Sequence, residues 1–413
     1  MKPVLTNFCC LLGISTLVAQ GPATSSFTVH EWGTFTSVSG SDGLTLLGAH
    51  HEEEALPDFV HGYDRIHKSG YSVKGCPVPL QGVTQKMETP VIYFHAGAPL
   101  RVKVAVEFKD GLTSQWYPEV EELVPAAITK GPPGFDLAEI QCSRVAWDVE
   151  VVPGATALTE RFPKVDSKQP WSFAREVDAA SVRVAGSRGK GEAEKYLFYR
   201  GLGRFQLPVR VAATKGGVVE FVNAGREAVP GLIVLEVGAA GGRYRLLPQV
   251  AGAASNACDL GAIPLRPVAQ VVSELQQVVV EKLLLPQGLY ADESRAMVRT
   301  WARSWFGKVG TRVLYVVPRA EVDRILPITI TPTPTQLVRV LLGRIEFLTP
   351  ELETDLESAL AATSRSGSAG EALLHSVRSR LDRFFEPALR RVAASTKDGA
   401  VAGAAKKLLR EFE

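Results

Sequence analysis

From about residue 27 to 263, apolar residues fall in short alternating runs punctuated by Gly, Pro and Asn, the period-two signature of half-buried strands. In "PLRVKVAVEFKDG" (99–111), Val102, Val104 and Val106 share one face, while Arg101, Lys103 and Glu107 break the pattern on and around the other. Together with "METPVIYFHAG" (87–97) this stretch predicts a strand pair joined through Gly97-Ala98-Pro99. "SRVAWDVEVVPG" (143–154) places Val145, Trp147, Val149 and Val151 on one side. Lys215-Gly216-Gly217 and Gly241-Gly242 sit between strand-like runs and predict hairpin turns. Strands at this spacing with no helical pattern between them point to an antiparallel sandwich or barrel-like sheet, not a doubly wound one.

The pattern turns helical near Pro264. "PVAQVVSELQQVVVEKLLL" runs at helical spacing, and "YADESRAMVRTWARSWFGKVG" sets Met297, Trp301 and Trp305 at i, i+4 and i+8, a packing stripe with Arg295, Arg299 and Arg303 opposite. "TRVLYVV" then reads as a strand, "RAEVDRIL" as a short helix and "PITITPTPTQ" as an extended connector. "LVRVLLGRIEFL", "PELETDLESALAA" and "EALLHSVRSRLDRFFEPALRRV" follow and read as mostly helical, with Thr349 and Pro350 at a helix start. The expectation is an α+β chain: an antiparallel β-sandwich-like N-terminal half followed by an α-rich C-terminal part. Its divisions are a β-rich domain over 22–263 with an internal break near 125–137, a mixed α/β region over 264–350, and a helical module over 351–413.

The first residues change the picture of where the chain works. After Lys2 comes an uncharged apolar stretch that ends in small and polar residues near Ala19, so residues 1–21 read as a signal peptide. Its core, Phe8 to Ala19, falls short of the roughly 20 residues a bilayer span requires. The expectation is export to the periplasm, cell surface or medium, with no transmembrane segment after cleavage. Cys9 and Cys10 would leave with the signal. Of Cys76, Cys142 and Cys258, two could pair in an oxidising compartment, but spacing does not choose the pair. Lys and Arg number 46 against 44 acids, with no basic run longer than a pair, so a nucleic-acid partner is not expected.

Candidate chemistry concentrates in one segment. Six of the seven histidines, His30, His50, His51, His61, His67 and His95, precede residue 96, interspersed with carboxylates. This supplies the nitrogen and oxygen donors that a divalent metal such as zinc takes. Within "HHEEEALPDFVHGYDRIH" (50–67), His61, Asp64 and His67 recur every third residue, and His50-His51 form a second group. The competing reading is a solvated polar loop between strands. "HHEEE" lacks the second histidine of HExxH, so a zincin helix is excluded there. In "VHEWGTF", alternation puts His30 and Trp32 on one face and Glu31 on the other. Trp32 reads as a core anchor, His30 as a candidate ligand, and Glu31 and Glu52 as candidate bases. His95 could complete a site with His30 if their strands pair, and Glu88 is a further carboxylate on the His95 strand. There is no GxSxG elbow and no Walker loop, and Cys76 near His67 reads as a disulfide partner or inert thiol.

"VHEWGTFTSV", "METPVIYF", "EKYLFYRGLG", "AMVRTWARSWF" and "LVRVLLGRIEFLTP" together resemble an uncharacterised family of exported bacterial proteins that open with this His-Glu-Trp-Gly-Thr-Phe-Thr stretch after a signal peptide. The resemblance spans residues 29 to about 350. It implies one architecture and export; it brings no activity and assigns no catalytic residue. Two functions are carried forward. The first is an exported cell-envelope protein acting as a binding or structural module, with an envelope protein or a glycan as partner. The second is a metal-dependent hydrolase with ligands among His30, His50, His51, His61, Asp64, His67 and His95 and with Glu31 or Glu52 as base.

Overall fold

The computed structural model describes residues 26–48, 56–68, 72–128, 135–154, 156–186, 188, 191–214, 216–363, 365 and 367–412. The expected signal peptide and His50, His51 and Glu52 lie outside the described residues.

Strand Phe27–Ser39 is buried along nearly its whole length, and that burial on both faces is met at the middle of a sheet. It runs parallel to Gln336–Phe347 on one side and antiparallel to Gln85–Ala96 on the other. These three strands are the centre of a nine-stranded mixed sheet. From one edge to the other its order is Gly241–Leu247, Leu232–Gly238, Gly310–Val316, Gln336–Phe347, Phe27–Ser39, Gln85–Ala96, Leu197–Gly203, Gly111–Tyr117 and His61–Gly62. The sheet draws strands from both sides of Pro264, so the change of pattern there is a change of element type and not the end of the sheet.

Two expectations fail, each for a physical reason. "LVRVLLGRIEFL" is a central strand and not a helix. Its apolar run serves both faces of a covered sheet, which erases the alternation that would have marked it. The strands on either side of Gly97-Ala98-Pro99 do not pair. Leu100–Lys109 belongs to a second, six-stranded sheet, beside Cys142–Val152, so residues 97–99 form a corner between sheets. Arg101 and Lys103 point to solvent while Gln85–Ala96 is largely buried, and strands so differently covered belong to different positions. The hairpins at Gly216-Gly217 and Gly241 form as expected.

The second sheet and a three-stranded sheet (Val209–Ala213, Val218–Asn223, Ser255–Asp259) pack against one face of the large sheet. Val102, Val104, Val106, Val145, Trp147, Val149 and Val151 all point into this layer and are at most 1% exposed. Each buried valine contributes on the order of 1.5–3 kcal/mol of hydrophobic stabilisation. The other face carries Trp32, Val340 and Leu342 and is covered by helices Val268–Val278 and Ala291–Ala302. Met297, Trp301 and Trp305 form the expected stripe, with Arg295, Arg299 and Arg303 exposed. Helices Pro350–Thr363, Gly367–Leu381, Phe385–Ser395 and Gly399–Leu409 make a separate core that reaches the sheet at Val38 and Leu348. The chain is α+β. Among the described residues no helix is long and apolar enough to cross a membrane. Cys76, Cys142 and Cys258 stand as separate thiols.

Candidate metal centre

The pairing of Phe27–Ser39 with Gln85–Ala96 sets Thr28 opposite His95 and His30 opposite Tyr93. Residues facing each other across an antiparallel pair share a face, so His30 and His95 are diagonal neighbours on the helical side. Their ring centroids lie 5.0 Å apart. The third member is Glu293, in the first turn of helix Ala291–Ala302. His30 Nδ1 lies 2.7 Å from Glu293 Oε2, and His95 Nε2 lies 2.9 Å from Oε1. The Tyr290 backbone N–H donates to Oε2 at 2.7 Å, so this carboxylate also caps its own helix. The Tyr290 ring covers both imidazoles, at 4.5 and 4.7 Å between centroids.

Burial pulls the Glu293 carboxyl upward, but hydrogen bonds from His30 and His95, followed by that from Tyr290, outweigh it and hold the group down at about 2. An ionised carboxylate only accepts, so the imidazoles donate from His30 Nδ1 and His95 Nε2. His30 Nε2 is then left buried without a partner. One donor atom from each of the three residues lies within 4.8 Å of the others, and two imidazoles with one carboxylate are a ligand set that zinc accepts.

The other residues singled out by sequence do not join this centre. Glu31 projects from the opposite face of the strand, fully buried, where it pairs with Arg339 and accepts from the Tyr199 hydroxyl. It is therefore a charge anchor in the inter-sheet core and not a base beside His30. His61, Asp64 and His67 separate despite their regular spacing. His61 meets Glu192 at 3.0 Å and Glu119 at 3.3 Å, Asp64 accepts from the Ser72 hydroxyl, and His67 Nε2 accepts from the Ile128 backbone N–H. A two-residue strand running into a four-residue helix turns these side chains in different directions. Burial lowers the His61 pKa, but Glu192 and Glu119 outweigh it and leave it raised. Glu88 lies beyond a bulge in its strand and pairs with Lys74 and Lys86 at 3.2 and 3.1 Å. Burial pulls its carboxyl up, and the two lysines more than reverse this, holding it well below the usual carboxylate range. Cys76 is buried, which pushes its thiol up to about 12, in keeping with an inert thiol. Glu293 escaped sequence reading because it is brought to His30 from the far part of the chain; the only local signal was an acidic first helical turn.

No family model matches the chain, and no curated protein matches it. Among solved structures the chain is similar to the yeast delta-COP-I mu-homology domain, free, at 8% identity, with 80% of this chain and 98% of that chain covered and a TM-score of 0.25. It is similar in the same way to that domain complexed with the Dsl1 WxWxV peptide, at 6% identity, 79% and 98% coverage and a TM-score of 0.25. Likeness this slight assigns neither fold nor activity, and the site stands on its own geometry.

Proposed function

We propose that the protein is an exported metal-binding module of the cell envelope, in which His30, His95 and Glu293 hold a divalent transition ion such as zinc. The observation that carries the reading is the convergence of two imidazole nitrogens and a carboxylate oxygen from two strands and a helix. Such an ion would tie the first turn of helix Ala291–Ala302 to the centre of the sheet. Within the site, Glu293 supplies charge and His30 and His95 supply nitrogen lone pairs once their protons leave. The hydrolase reading is the weaker one, because Glu31 lies on the opposite face of its strand and cannot act on anything held by His30. Export rests on the apolar segment at the N-terminus.

The test is elemental mass spectrometry on the mature protein, purified without an affinity-tag metal, beside the His95→Ala variant. Near-stoichiometric zinc, iron or manganese that is lost in the variant supports the proposal. A folded, metal-free wild type that takes up no added zinc overturns it. Amino-terminal sequencing of protein from fractionated cells tests export separately.

A further inference from the structure

A second feature lies on the same face of the large sheet, on the far side of Trp32 from His30. Strand Gln85–Ala96 is bulged there, with register shifts against both of its neighbours. Thr89 takes a φ of +45°, a conformation that β-branched residues rarely hold. Strained backbone of this kind concentrates at ligand sites.

Beside the bulge is a recess of about 40 Å³, bordered by exposed Gln169 and walled by Trp171, Tyr196 and Phe198. A water takes about 10–15 Å³ by this measure, so the space holds about three, the bulk of three oxygens and little more. Four side-chain atoms on its lining are buried without a hydrogen-bond partner: Trp32 Nε1, Glu88 Oε2, Thr89 Oγ1 and Trp301 Nε1. Native proteins seldom leave buried polar atoms unmatched, and four at one recess is a pattern that an occupant would satisfy. Buried Arg200 also lines the recess, with its Nε donating to Gln115.

We propose that this recess binds a small oxyanion carrying its own hydroxyl, with bicarbonate as the member of that class that fits. The two indoles only donate, Glu88 Oε2 only accepts, and the Thr89 hydroxyl does either, so the occupant must accept on one side and donate on the other. Bicarbonate does both: its bare oxygens accept from Trp32 and Trp301, and its hydroxyl donates to Glu88 Oε2. Charge sorts the alternatives. Lys74 and Lys86 hold Glu88 ionised through Oε1, so its inward oxygen repels an anion that has no proton to offer. A cation would meet Arg200 and two indole N–H groups. A small neutral amide has the right hydrogen-bond pattern, but buried Arg200, Lys74 and Lys86 set three cations around one carboxylate, a field that favours an anion. None of the four unmatched atoms belongs to the His30–His95–Glu293 centre, so the two proposals stand or fall separately.

The experiment titrates the mature protein, stripped of metal by chelation, with isotope-labelled bicarbonate at mildly alkaline pH and constant ionic strength. Binding is read from broadening of the bicarbonate NMR signal and from tryptophan fluorescence, with nitrate, chloride and urea as controls. Saturable binding of bicarbonate is expected, with each control at least about tenfold weaker, in line with one charge-assisted hydrogen bond. Trp301→Phe and Thr89→Val remove only unpartnered groups, and each should weaken binding several-fold in a folded protein. In Glu88→Gln the preference for bicarbonate over nitrate should collapse. Because Glu88 also holds two lysines, that variant can lose its fold, and the other two keep the test decisive. No saturable binding at millimolar bicarbonate, which would leave the recess to water, unchanged affinity in both Trp301→Phe and Thr89→Val, or equal binding of nitrate, chloride or urea would each overturn the proposal.

Discussion

His30 Nδ1 lies 2.7 Å from Glu293 Oε2, which fastens the central strand of the sheet to the first turn of the helix above it. The contact joins residues 263 positions apart and buries a carboxylate that is also the helix's own cap. Glu293→Gln keeps the shape and removes the charge, and the expected cost is about 2 kcal/mol in urea unfolding of the metal-free protein.

The same contact sets a pH dependence. The folded-state pKa of Glu293 is depressed from 4.5 to about 2, so its contribution is present above 4.5 and lost as pH falls toward about 2. In the metal-free protein the stability difference between wild type and Glu293→Gln should shrink across that window. A difference that stays constant as the pH is lowered would count against this assignment.

Metal should act as a stabilising ligand. If the three side chains hold zinc, unfolding shifts upward by about 2.7 kcal/mol when free zinc is about a hundred times Kd, and chelation reverses the shift. His95→Ala should abolish the effect, which thermal scans with and without zinc would read directly.

Glu31 should behave as a structural charge. Glu31→Ala takes from buried Arg339 its buried carboxylate partner and leaves it only the exposed Asp323, at an expected cost of about 3 kcal/mol. Denaturant titration reads this loss, while metal content per folded molecule should stay the same.

His61 supplies a titration of the opposite sign. Its pKa is raised in the fold by Glu192 and Glu119, so its contribution is full below about 6.5 and is lost as pH rises through the higher folded value. His61→Gln should flatten this part of the stability profile, as a series of thermal scans between about pH 6 and pH 8 would reveal.

What could be read from sequence follows from how locally each signal is encoded. Val102, Val104 and Val106 alternate because one side of their strand meets water, and the hairpin at Gly216-Gly217 is written in the turn itself. The run from Leu337 to Phe347 carries no such mark, because both faces are covered. At the site, His30 and His95 were legible on the condition that their strands pair, and they do. Glu293 was not, since a contact between helix and sheet leaves no spacing in the chain. His61, Asp64 and His67 carried the most regular spacing, and yet no two of these three contacts share a partner.

The parallel pairing of Phe27–Ser39 with Gln336–Phe347 sets a timetable for biogenesis. The first strand emerges from the ribosome early and its parallel neighbour more than 300 residues later, as the Thr34 hydroxyl contact to the Leu342 carbonyl at a separation of 308 illustrates. Until then one long edge of the nascent sheet has its backbone groups unmatched, a state prone to wrong pairing. A chain built this way stays open for most of its synthesis, and it closes only when its last strand slots in beside its first.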